Sequence, residues 1–260
     1  MNLLVPLKMV PDLVEELTLN EAGTGLDRDA LTYKLNEFDD QALEEALELK
    51  ALHGGTVIVA GLDTPDIDQV FYTAIAKGAD RAVKVTGAFD SLVDSWTAAA
   101  AMAPVVASLE VDLVLAGVQA PDDLYGQLPV LLAGKLGWPH VSVVSGIELD
   151  PQARIARCHQ EYSGGVMAAM ETALPAVLGV QAARKTPRYA PISRIRQVMK
   201  EAKLEEVAAA PAADGGRPKV RRLFKPESQG HARMLEGDVT SQIEQLVGLL
   251  AERGLLKVRV

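Results

Sequence analysis

Apolar and polar positions along the chain fall into blocks whose period switches between that of a strand and that of a helix. Leu3, Leu4, Val5 and Leu7 make an apolar run closed by Lys8, which predicts a strand buried on both faces, with Pro6 removing one ladder N–H near its end. Residues 14–33 carry the turn signal Gly23-Thr24-Gly25 and read as a hairpin or excursion, longer than an ordinary βα connection. From Asn36 the period becomes helical. Phe38, Ala42, Leu43, Ala46 and Leu47 share one face, and Asp40, Glu44, Glu45 and Glu48 are expected to meet water. Asn36 is expected to cap this helix, with Asp39 three residues on completing a box-like first turn, and Gly54-Gly55 to stop it.

The same alternation continues. Residues 56–60 predict a strand with Gly61 just past its end, 68–77 a helix closed by Gly78, and 82–85 a third strand. Asp94 caps a helix running to Leu109, with Pro104 set to kink it. A strand at 113–116 then ends at Gly117, a polar loop holds Pro121, Asp122, Asp123, Gly126 and Gln127, and 128–136 reads as a helix packed by Leu and Ala. Past Trp138-Pro139 only strands follow, at 141–144, 155–162, 166–172 and 176–180, with Gly164-Gly165 as a hairpin turn. Alternating strand and helix followed by strands alone predicts an α/β fold: a mostly parallel sheet with helices on both faces and antiparallel β additions. In such a sheet, ligands bind beyond the carboxyl ends of the strands, so the loop within 112–138 is the first candidate site.

From Arg184 onward the sheet pattern is lost. Residues 192–204 place Ile195, Val198 and Met199 at helical spacing, 207–216 read as a flexible linker, 220–224 as a short basic strand or extended arm, and 239–250 as an amphipathic helix with Ile243, Leu246, Val247 and Leu250 on one face. The expected division is therefore an α/β domain over 1–183 and, over 184–260, a basic segment, linker and C-terminal arm.

Composition refines this picture. Net charge is −9, which argues against a nucleic-acid partner, and 4% aromatic residues leave few platforms for stacking bases. The charge is uneven. Residues 181–225 hold 12 Lys+Arg against 4 Asp+Glu, a balance of +8, while the remainder holds 14 against 31, a balance of −17. A basic segment on an acidic body reads as an interaction arm. The lone Cys158 cannot form an internal disulfide, no apolar run suits a membrane span, and a reducing, cytoplasmic location is expected. No CxxC, HExxH, GxSxG or P-loop motif occurs, and His53, His140, His159 and His231 show no ligand or triad spacing. The chemistry is that of a binding or carrier subunit, with no metal site.

Separated pieces of the chain then coincide with one family. The opening LLVPLKMVPD, LNEFDDQALEEALELK from Leu35, TAIAKGADRAVKV from Thr73, LVLAGVQAPDD with Gly126-Gln127, GWP at Gly137, LPAVLGVQ from Leu174 and PRYAPISRI from Pro187 resemble, in order, the β subunit of electron transfer flavoproteins. KVRRLFKP and the last helix are similar to the tail of its nitrogen-fixation-associated branch. The resemblance implies an adenine nucleotide hydrolase-like sheet, with 1–183 as a nucleotide-binding domain and 184–260 as a partner-docking loop, linker and arm, a heterodimer with an α subunit that carries FAD, and AMP or a second FAD held by this chain. It implies a nucleotide site drawn from Pro6, Asn36, Leu62, Gly117, Ala120, Asp123, Gly126, Gln127 and Leu128, with Leu13 and Phe38 approaching the partner's flavin ring. It also implies that Pro187, Arg188, Tyr189 and Ile192 belong to a loop that docks flavoprotein dehydrogenases such as acyl-CoA dehydrogenase, Ile192 being the apolar anchor. The chain departs from the family at Leu128 and Pro129, which stand where AMP-binding members have Thr-Gly after Asn-Gln; Pro129 also removes a donor from the helix start. Two other readings stand beside this one: a free-standing adenine-nucleotide-binding protein or hydrolase, which would need a Gly/Ser phosphate loop where LKMVPD occurs, and a structural subunit with an empty nucleotide site.

Overall fold

A computed structural model describes residues 1–89, 93–123, 126–210, 220–226, 230, 232 and 234–256. In chain order the first unit contains β1 (Asn2–Pro6), β2 (Met9–Pro11), β3 (Tyr33–Leu35), α1 (Glu37–His53), β4 (Thr56–Leu62), α2 (Ile67–Lys77), β5 (Arg81–Thr86), α3 (Ser95–Ser108), β6 (Leu113–Gly117) and α4 (Gln127–Leu136). It continues with β7 (His140–Asp150), β8 (Ile155–Tyr162), β9 (Val166–Ala173), β10 (Ala176–Val180), α5 (Ile192–Glu201) and β11 (Glu205–Ala208). Contacts group the chain into Met1–Val220 and Arg221–Val260, so α5 and β11 pack with the first unit. The second unit holds α6 (Val239–Glu252), capped by Asp238 accepting from Ser241 N, with Val239, Ile243, Leu246 and Val247 exposed.

Nine strands form one sheet in the order β11-β5-β4-β1-β6-β10-β7-β8-β9. Pairing is parallel from β11 through β7 and antiparallel only for β7 with β8 and β8 with β9, the α/β architecture with antiparallel additions that the periodicity predicts. Successive strand residues face opposite sides. Leu3 and Val5 of β1, Val57 and Val59 of β4, and Leu113 and Leu115 of β6 join α1 and α2 in one core. Leu4, Ile58, Ala60, Val114 and Ala116 join Ala99, Met102 and Val106 of α3 and Leu132 of α4 in the other. Both faces being covered explains why the central strands read as unbroken apolar runs.

Three sequence expectations need correction. Gly61 lies inside β4 rather than beyond it, with its Cα against Leu7: an added Cβ would stand 2.6 Å from the Leu7 carbonyl oxygen. Val207 and Ala208, read as linker, belong to β11, which pairs in parallel with β5 and is fastened by the Arg81 guanidinium donating to both Glu205 oxygens at 2.7 and 2.8 Å; residues 211–216 of that linker lie outside the described residues. Of the two readings of residues 220–224, strand or extended arm, the strand does not form. Finally, Glu44 and Glu45 are buried, because the chain after β10 crosses this side of α1. The excursion over 14–33 is closed at its base by antiparallel pairing of β2 with β3, and Leu19 bridges Leu26 around the Gly23 turn. No described helix is long and apolar enough to cross a membrane.

Candidate nucleotide crevice and docking segment

The carboxyl ends of β1, β4 and β6 open into one crevice. Its larger part, about 540 Å³ including open solvent, is lined by Pro6, Leu7, Lys8, Asp39, Leu62, Thr64, Val93, Ser95, Met102, Asp122 and Leu128. A smaller recess beside it is lined by Lys8, Asn36, Asp39, Gly117, Gln119, Ala120, Asp123 and Leu128. Parallel topology makes this arrangement unavoidable: each strand delivers its C-terminal residue to the same edge, and the following loop folds over it.

At the junction of the two spaces sits an unusual polar knot. Asn36 does not cap α1; its side-chain amide donates instead to Asp39 Oδ1 at 3.0 Å and to the Gln119 carbonyl at 3.0 Å. The Lys8 N–H donates to Asp39 Oδ2 at 3.0 Å, and Lys8 Nζ stands 2.6 Å from Asp122 Oδ1. Burial pushes the Asp39 carboxyl up to about 7, against the charge of Lys8 and the hydrogen bonds from Asn36 and Lys8, while the nearby Asp122 charge adds to the rise. Asn36 Oδ1 is a buried acceptor without a partner among the described residues. Gly117 ends β6 so close to α1 that a Cβ would fall 2.8 Å from Asp39 N and from Phe38 C.

The loop after β6 is organised by Asp123. Its carboxylate accepts from the Gln127 N–H at 3.0 Å and from the Ser95 hydroxyl, and its backbone pairs with Ala120. Gly126 adopts φ +61° at the N-cap of α4, a conformation that favours glycine. The residues fit one end of an adenine nucleotide better than the other. Apolar walls at Leu7, Leu62, Val93 and Leu128 suit a planar base, and Asn36, which lines the smaller recess, carries a buried Oδ1 with no partner among the described residues. The start of α4, by contrast, already spends the Gln127 N–H on Asp123, and Pro129 has none to give.

A family model for the electron transfer flavoprotein domain matches residues 24–213. The electron transfer flavoprotein subunit beta of Methylophilus methylotrophus is 33% identical over 97% of this chain and 98% of its own length. The chain belongs to the electron transfer flavoprotein β-subunit family. Similarity extends to the caffeyl-CoA reductase-Etf complex subunit CarD of Acetobacterium woodii, 29% identical over 98% of this chain and all of the relative, and to the Sus scrofa electron transfer flavoprotein subunit beta, 29% identical over 96% and 97%.

Of the residues that the family resemblance singled out, Pro6, Asn36, Leu62, Gly117, Ala120, Asp123 and Leu128 come together around the crevice. Gly126 and Gln127 stand at the start of α4, and their N–H groups donate to Asp123. Leu13 lies apart, 56% exposed on the excursion, and Phe38 is half-buried on the first turn of α1; neither lines the crevice. Sequence reasoning passed over Lys8, Ser95 and Gln119, and took Asp39 only as part of a capping box. A cation directly after a buried strand, in Leu7-Lys8, was the available signal for Lys8.

The basic segment looks different in space from its composition. Arg184 Nε donates to Glu45 Oε1 at 3.1 Å, Lys185 Nζ lies 2.5 Å from Glu48, and the Arg188 guanidinium donates to Glu44 at 2.7 Å and Glu48 at 3.1 Å. Burial raises the Glu44 carboxyl, but the bonds from Arg188 outweigh it and hold the group below its ordinary value. These three cations are thus matched by α1 rather than offered as a basic arm. What the segment presents outward is Tyr189, 79% exposed, and Ile192, 61% exposed. Pro187, Arg188, Tyr189 and Ile192 border a shallow groove shared with Thr73 and Lys77 of α2.

Proposed function

We propose that this chain is the β subunit of a heterodimeric electron carrier: it pairs with an α subunit that carries FAD, buries an adenine nucleotide in the crevice, and presents residues 187–192 to flavoprotein dehydrogenases such as acyl-CoA dehydrogenase. It makes and breaks no substrate bond. Electrons pass through the partner's flavin, and this chain supplies binding and orientation. The observation that carries this reading is the convergence of Pro6, Asn36, Leu62, Gly117, Ala120, Asp123 and Leu128 on one crevice at the carboxyl ends of β1, β4 and β6, in a chain of this family. The adenosine end would lie against Leu62 and Leu128 with Asn36 Oδ1 as an acceptor. Lys8, which lines the crevice 2.6 Å from Asp122 Oδ1, is a cation that supports AMP or the adenylate half of a second FAD.

The test is extraction of the co-expressed complex and a count of FAD and AMP per heterodimer. FAD together with one further adenine nucleotide, either AMP or a second FAD, is the expected result. One FAD and no other nucleotide would refute occupancy of the crevice while leaving the heterodimer intact.

A further inference from the structure

The segment between β10 and α5 has almost no regular structure of its own, yet its backbone is held at three points by a single helix face. The Ala183 N–H donates to Gln41 Oε1 at 3.0 Å, the Arg184 N–H to Glu45 Oε2 at 2.9 Å, and the Arg188 N–H to Glu44 Oε2 at 2.9 Å. Gln41, Glu44, Glu45 and Glu48 recur at the spacing that puts side chains on one side of an α-helix. Glu44 and Glu45 are buried, so each carboxylate must have partners, and it finds two kinds: a main-chain N–H and the guanidinium of the same residue. A carboxylate gripping both the backbone and the side chain of one arginine fixes where that residue's chain runs. A surface ion pair between side-chain tips would not do so.

We infer that Gln41, Glu44 and Glu45 are positioning residues: the face of α1 serves as a template that sets the path of residues 183–188 and so holds Tyr189 and Ile192 outward as the docking surface. Just past the last of these anchors, Ala190 is buried between the exposed Tyr189 and Ile192, and the chain enters α5. The template acts on docking without touching the docked partner. This inference rests on the docking role proposed above for residues 187–192.

The test uses the full heterodimer, with reduction by an acyl-CoA dehydrogenase that reduces the wild-type complex, and hydrogen exchange of the 183–188 amides measured in parallel. Glu44→Ala is expected to speed exchange at Arg188 by about tenfold or more and to raise the KM for the complex by about tenfold, with kcat and flavin content unchanged. Glu44→Gln keeps an acceptor for the Arg188 N–H and should restore much of the protection. Gln41→Ala removes no buried charge and gives a second, milder variant, expected to release the Ala183 amide and raise KM in the same direction. Unchanged KM in Glu44→Ala or Gln41→Ala, when Ile192→Asp raises KM, overturns the template. Unchanged KM in Ile192→Asp overturns the docking role itself.

Discussion

The Asn36 side-chain amide donates to Asp39 Oδ1 at 3.0 Å, while its own oxygen accepts nothing from the start of α1, which is left without a side-chain cap. An uncapped helix start costs about 1 kcal/mol. The amide is instead committed to fixing the buried Asp39 carboxyl beside the crevice, and Asn36 Oδ1 stays buried with no partner among the described residues. Local helix stability is given up for the geometry of the site.

That carboxyl makes stability depend on pH in a calculable direction. Asp39 holds its proton up to about pH 7 in the fold, against 3.8 for an ordinary aspartate. Between those values the folded chain binds more protons than the unfolded chain, so stability from this group is full near pH 4 and falls as pH rises toward 7. Denaturant unfolding at a series of pH values should show this slope, on the order of a few kcal/mol in total. Asp39→Asn should flatten it. An unaltered slope in the variant would mean that another group is responsible.

Two neighbouring cations should differ sharply. Arg184 matches Glu45, which is fully buried, so Arg184→Ala strands a buried charge and should cost about 3 kcal/mol. Lys185, 68% exposed, meets Glu48 at the surface, and Lys185→Ala should cost under about 1 kcal/mol. Equal losses in urea melts would contradict the assignment of Glu45 as an interior carboxylate.

Glycines give a second contrast. Gly117→Ala forces a Cβ against backbone atoms of Phe38 and Asp39, which cannot swing aside, and should cost about 2 kcal/mol or more while disturbing the crevice. Gly134→Ala, on α4 with nothing within 4 Å, should stabilise by about 0.5–1 kcal/mol. Thermal melts of both variants decide the matter, and a destabilised Gly134→Ala would show that α4 packs more tightly there.

The sheet was legible because its central strands are buried on both faces: Leu3–Val5 and Leu113–Ala116 could only be interior runs, and the helices between them carried caps such as Asp94, which accepts from Thr97 N at 2.9 Å. The polar parts were less legible. Periodicity assigns Glu44 and Glu45 to water because it knows nothing of a segment arriving from 139 residues further along the chain. For the same reason Val207 and Ala208 of β11 read as linker: they are edge-strand residues whose partners on β5 are far away in sequence. Most crevice residues were placed by motif, yet Lys8 and the inward turn of Asn36 follow from the meeting of three loops, which no single stretch of sequence contains.

The central claim, that this chain completes a flavin-carrying heterodimer able to accept electrons, is tested most directly by co-expressing it with its α subunit and mixing the purified complex with an acyl-CoA dehydrogenase and its substrate. The expected result is a yellow one-to-one complex whose flavin absorbance bleaches, and bleaches much more slowly when Ile192 is replaced by Asp although the flavin remains bound. A colourless chain that purifies alone, or a complex whose flavin is never reduced, would contradict it.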